Sequence, residues 1–127
     1  MKFAPYAATC ALVIVASGCM FDVVSITQKP TVFSAASGTP ETFVLRESHS
    51  ISIGTGFPTK LKAGTKWAMI GSIPEGLVFR SRDQELTVEA SNIHEAALVV
   101  DKGAVVGFYL VVEKTFCTVK QREPVEQ

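Results

Sequence analysis

The strongest constraint on how this 127-residue chain folds is the spacing inside its apolar runs, which are short and repeat every second residue. His49-Ser50-Ile51-Ser52-Ile53 alternates Ser with Ile, and Thr42-Phe43-Val44-Leu45-Arg46 alternates in the same way. Leu86, Val88 and Ala90 fall on one side of their run, with Glu85, Thr87 and Glu89 on the other. A period of two places every other side chain on one face of a pleated strand, so these runs predict half-buried strands. No segment carries a helical apolar period over a dozen residues. Gly and Pro punctuate the runs at Gly54-Thr55-Gly56-Phe57-Pro58 and Pro74-Glu75-Gly76, the usual chemistry of turns.

The clearest local signal is a hairpin. Ala96 to Val100 and Ala104 to Val112 flank Asp101-Lys102-Gly103, with Gly103 expected to supply the left-handed residue of a three-residue loop. Asn92-Ile93-His94-Glu95 has the residue types of a capping box, which allows one short helical turn near residues 92–96. Strands separated by turns, with no long helix, predict an all-β fold: a small antiparallel sandwich or an SH3-like barrel. The SH3-like option rests on the cadence of Gly64-Thr65-Lys66-Trp67-Ala68-Met69-Ile70-Gly71. The β-domain is expected over residues 41–119, with Phe43, Trp67, Phe79, Phe108, Tyr109 and Phe116 supplying its core. Lys120 to Gln127 is polar, contains Pro124, and is expected to be a flexible tail.

The N-terminus has a different character. Met1-Lys2 is a short basic start, and Ala7 to Ala16 is an apolar stretch of about ten residues, the proportions of a secretory signal rather than a spanning helix. It ends in Ala16-Ser17-Gly18-Cys19, which resembles the lipobox of bacterial lipoproteins. Leu usually stands three places before that cysteine; here the place holds Ala16. The resemblance covers residues 1–19. It implies cleavage between Gly18 and Cys19, a diacylglyceryl thioether on Cys19, and attachment to membrane lipid through that residue. One acyl chain binds marginally and two or three hold stably, at about 0.8 kcal/mol per buried methylene. Met20 stands where Asp would imply retention at the inner membrane, so in a Gram-negative cell the resemblance implies the periplasmic side of the outer membrane. Residues 19–40 would then be a lipidated start and tether, with Ser34 to Pro40 as its small-residue part.

Two other fates stay open. The same small residues suit ordinary signal peptidase, and an uncut segment would act as a signal anchor. Cysteine arithmetic bears on the choice. Cys10 lies inside the apolar stretch, leaving Cys19 and Cys117. If Cys19 is acylated, Cys117 is unpaired; if it is not, the two can form one disulfide.

Little in the body points to chemistry. Twelve basic and twelve acidic residues balance, and the basic ones are scattered, which disfavours a nucleic-acid partner. Two histidines, His49 and His94, and no paired Cys motif argue against a metal site. Glu47 shares a strand face with His49 if that strand is continuous. Asp83, Glu85 and Glu89 suit a solvated strand face. There is no Gly-x-Ser-x-Gly elbow, Gly54-Thr55-Gly56 lacks the rest of a phosphate-binding fingerprint, and Cys117 has no local activating partner. No catalytic residue and no cofactor are expected. Trp67 and Phe57 are the candidate partner surface, set against the stronger expectation that Trp67 is core. The functional expectation is therefore a non-enzymatic, lipid-anchored envelope protein that binds another envelope protein or serves in assembly. The alternative is a soluble periplasmic inhibitor or ligand-binding protein, which a groove near Trp67 would favour. A hydrolase would need His94 and an acid to converge in a pocket.

Overall fold

A computed structural model describes residues 26–53, 58–89 and 92–125. Cys19, Gly18 and Phe57 lie outside the described residues, as do the leader and Gly54-Thr55-Gly56. The described chain is all-β. In order its strands are β1 (Lys29–Pro30), β2 (Ser34–Ala35), β3 (Thr42–Val44), β4 (His49–Ile51), β5 (Thr59–Leu61), β6 (Lys66–Ile73), β7 (Gly76–Ser81), β8 (Thr87–Glu89), β9 (Ile93–Asp101), β10 (Ala104–Leu110) and β11 (Thr115–Pro124). All pairings are antiparallel, and the main sheet runs β1-β11-β10-β9-β7-β6-β2. β3 joins β6, β8 joins β9, and β4 with β5 forms a separate two-stranded sheet.

That order forces curvature. β1 and β2 occupy opposite ends of the path but are separated by only Thr31, Val32 and Phe33. Laid flat, six inter-strand spacings of about 4.8 Å would hold them roughly 29 Å apart. The four steps from Pro30 to Ser34 reach at most about 14 Å. The sheet therefore curls into a half-barrel, and residues 29–35 cross its open side as a strap.

Both faces of the curled sheet are apolar, because β7, β9 and β10 are covered on both sides. The larger cluster includes Phe43, Leu45, Ile51, Leu61, Trp67, Phe79, Val88, Leu98 and Phe108, closed over by β3, β4, β5 and β8. The smaller one lies under the strap and joins Ile73, Val78, Ala97, Val99, Val106, Tyr109 and Phe116, with Phe33 stacked on Tyr109 at 5.4 Å between ring centroids.

Two bulges make this double core possible. In β6 the register against β7 shifts between Met69 and Gly71, and in β10 the register against β9 shifts between Val105 and Gly107. An extra residue flips the faces that follow. Trp67 consequently faces the larger cluster and Ile73 the smaller, although both are odd-numbered on one strand. Val105 and Phe108 likewise share the larger cluster despite opposite parity. Each bulge glycine lies under an aromatic ring. A β-carbon at residue 71 would collide with Phe33 and the Ser34 carbonyl, and one at residue 107 with Phe116 and the Cys117 carbonyl.

All six aromatic residues expected in the core are buried. Four expectations need correction. The helical turn near 92–96 is strand: Thr87 pairs with Glu95 and Val88 with His94 on one side, while the Val111 amide donates to the Glu95 carbonyl on the other. Ladders on both edges outcompete an isolated cap. The 101–103 loop has two residues rather than three. Asp101 pairs with Ala104, leaving Lys102 (φ 52°) and Gly103 (φ 76°) in the turn, a geometry whose twist matches the flanking strands. The tail begins later than residue 120, because β11 extends to Pro124, with Glu123 and Pro124 paired to Val105 and Ala104, the Lys120 amide bonded to the Ser52 carbonyl, and Val125 buried with its amide bonded to the Gly103 carbonyl. Finally, part of the expected tether is strand: Lys29–Pro30 and Ser34–Ala35 close the half-barrel.

Candidate functional site

A groove of about 710 Å³ lies along the outer side of β6. The larger core cluster takes Trp67 to the opposite side of the strand, which leaves Lys66 and Ala68 facing out. Cross-strand pairing sets Thr42 and Arg80 beside Ala68. Pro40, Ala68, Met69 and Ile70 are the apolar residues lining the groove, Met69 packing at the same time against the larger core cluster, and Lys66, Arg80 and Arg82 are its exposed basic ones. Asp83 is also there, but its carboxylate accepts a hydrogen bond from the Lys66 amide at 2.8 Å. Arg80 approaches Glu95 at 3.7 Å, with both side chains nearly half exposed.

The backbone of β6 is occupied on both edges. β7 takes one edge; β3 and β2 share the other. In the gap between β3 and β2, the Met69 amide donates to the Glu41 carbonyl and the Ile70 carbonyl accepts from the Ala36 amide. Any occupant would meet side chains rather than main-chain hydrogen-bonding groups.

Trp67 itself is fully buried, which corrects its candidacy as a partner surface. Its indole Nε1 donates to Thr65 Oγ1 at 2.9 Å, and that hydroxyl donates to the Lys62 carbonyl at 2.7 Å. With its one polar atom satisfied internally, the ring has no reason to turn outward.

The histidines go to two other places. His49 and Glu47, expected to share a face, both line a hollow of about 250 Å³ with Arg46, Glu123 and Pro124, and His49 Nδ1 lies 3.8 Å from the Glu123 carboxylate. His94 Nδ1 is bonded to the Glu113 carboxylate. A histidine and an acid therefore do converge, through the turn at 111–114 rather than through neighbours on one strand. The pair is flanked by the exposed side chains of Ile93 and Val112, away from the β6 groove. Among the described residues, no three His, Cys, Asp or Glu side chains are grouped to hold a metal ion. Glu85 and Glu89 are exposed, as a solvated strand face requires.

Two titratable groups are displaced from their ordinary values. Burial pushes the Cys117 thiol up to about 11, with the Glu113 charge adding to it; the side chain belongs to the larger core cluster and is 1% exposed. Glu75, in the β6–β7 turn, is raised by burial. The Thr31 hydroxyl, at 2.8 Å, and the Lys29 ammonium, at 3.1 Å, more than offset this and bring it below the usual carboxylate value. Both partners come from the strap, so Glu75 latches the closing segment to the sheet.

The sequence signals missed the groove because a short β-branched or small residue such as Ala68 has no functional signature by itself. Its meaning comes from Arg80 and Thr42, which sequence distance conceals. No family model, curated protein or solved structure matches this chain. No helix of the described residues is long and apolar enough to cross a membrane.

Proposed function

We propose that the chain is a membrane-anchored cell-envelope lipoprotein whose β-domain is a non-catalytic module for interaction or assembly. In this reading acylated Cys19 holds it on the periplasmic side of the outer membrane, where it engages another envelope protein. The observation that carries the reading is the position of Cys117. The alternative use of Cys19 is a disulfide to Cys117, which is enclosed in the core, where burial pushes its thiol up to about 11. Thiolate is the species that forms and exchanges disulfides, so in the folded domain Cys117 is a slow partner for one. Cys19 stands ten residues before β1. At about 3.5 Å per residue, those residues cannot hold the β-domain more than roughly 35 Å from its anchor.

Metabolic labelling with an alkynyl palmitate tests this. The wild-type chain should be labelled and recovered with membranes, and Cys19→Ser should be unlabelled. Label retained in Cys19→Ser overturns the reading. In parallel, Cys117 should resist iodoacetamide in the folded protein at pH 8 and react fully after denaturation. An oxidised Cys19–Cys117 peptide under non-reducing conditions would instead establish the soluble, disulfide-linked form.

The β6 groove favours ligand binding as a second reading, and that reading holds whether or not the chain is anchored.

A further inference from the structure

We propose that the β6 groove binds a single-chain anionic amphiphile, with its acyl chain along Pro40, Ala68, Met69 and Ile70 and its headgroup held by Lys66, Arg80 and Arg82. Three observations lead there. The groove's volume of about 710 Å³ is that of a site for a small organic ligand. Its apolar lining, Pro40, Ala68 and Ile70 with the edge of Met69, matches a chain without polar atoms. Its lining carries three cations against one acid, Asp83, which is oriented by the Lys66 amide, so the groove is net basic. Glu95 offsets Arg80 only loosely, at 3.7 Å, so a carboxylate or phosphate ligand can take over the guanidinium as a closer, charge-assisted partner.

The backbone argues against the main competitor, an extended acidic peptide. Peptides that add to a sheet draw their affinity from main-chain ladders, and β6 has both edges filled by β7, β3 and β2. An acyl chain asks for no hydrogen bonds. The proposal does not depend on acylation of Cys19: a chain that proved soluble would still carry the groove.

Photo-crosslinking of the full chain in its native membranes, and of the purified full chain, with a diazirine-bearing palmitate provides the test. Saturable labelling should map to peptides containing Pro40, residues 66–70 or residues 80–83. Unlabelled palmitate should compete, while hexadecanol should compete about tenfold less well for want of the charge-assisted contacts. Arg80→Gln with Arg82→Gln should weaken labelling by about tenfold on the same grounds. Ala68→Phe, which fills the groove, should abolish it. Both arginines are exposed, so the double variant should keep the wild-type circular dichroism even if Ala68→Phe fails to fold. Unsaturable labelling spread over the surface, equal competition by hexadecanol, or full labelling of the double variant would overturn the proposal. Competition by hexaglutamate as strong as that by palmitate would assign the groove to acidic peptides instead.

Discussion

Gly71 and Gly107 show how much a single absent methyl group can organise. Each lets a phenylalanine ring come up against the strand at a bulge, Phe33 at one and Phe116 at the other. Gly107→Ala should therefore cost about 1–3 kcal/mol or more, because the colliding atoms include the Cys117 carbonyl, which cannot rotate away. Thermal unfolding would register this as a fall in Tm of roughly 4–8 °C per kcal/mol. Gly103→Ala, where nothing lies within 4 Å, offers the contrast: its cost comes from the left-handed backbone alone. Glu75 makes a prediction about pH. Its folded value lies below its unfolded one, so its contribution is fully present above the unfolded carboxylate range and is lost as pH falls through the folded value. Urea denaturation at pH 7 should show Glu75→Gln less stable than wild type by up to about 1 kcal/mol, the scale of a partly exposed pair. At pH 3 the difference should shrink.

At the scale of elements, the β9–β10 hairpin offers the cleanest intervention. Lys102 holds φ 52° without being Gly or Asn, although its two-residue turn favours Asn-Gly. Lys102→Asn should therefore raise Tm, and Lys102→Val, with a β-branched residue in the same conformation, should lower it. The hairpin itself was legible because alternation, length and Gly103 all point to one answer. The two strand-like runs at 42–46 and 49–53 were legible for the same reason, and Phe43, Ile51 and Ile53 are buried as their period requires. What the sequence hid were features set by a partner. The only mark either bulge leaves is its in-strand glycine, Gly71 or Gly107, and the apolar run continues past each without a break in pattern. Lys120 to Pro124 looked like a tail because its side chains are polar and mostly exposed, yet Glu123 and Pro124 pair with β10 and the Lys120 amide bonds to the Ser52 carbonyl. Trp67 was ambiguous until Thr65 supplied the acceptor for its indole. The β6 groove depends on Ala68 meeting Arg80 across the β6–β7 hairpin, and on Pro40 arriving from the loop before β3.

The whole molecule is dominated by contacts between distant parts of the chain. β1 pairs with β11 across most of the described sequence, and β7 pairs with β9 past the inserted β8. Such a topology pays a large loop-closure entropy before its ladders form, so refolding from urea should take milliseconds to seconds rather than microseconds. Stopped-flow Trp67 fluorescence would follow it, since the ring passes from solvent to full burial; a microsecond phase carrying the whole amplitude would contradict the expectation. The strap matters here as well. Residues 29–35 cover the outer edges of both β6 and β11, and uncovered edges invite pairing between molecules. Phe33→Ala should accordingly increase light scattering on heating, besides lowering Tm. The placement of this segment also gives the fold a mechanical character. Tension that enters through Ile26 meets β1, with its two ladder pairs, before it reaches any interior strand. The strap is thus the first part to peel away under load, and its seven residues can pay out about 25 Å of extended chain. The larger cluster loses Ile26, which packs against it from the outside, but its buried members, none of them in 29–35, stay assembled while this happens. A pull on the N-terminus would lengthen the molecule before it unfolded it.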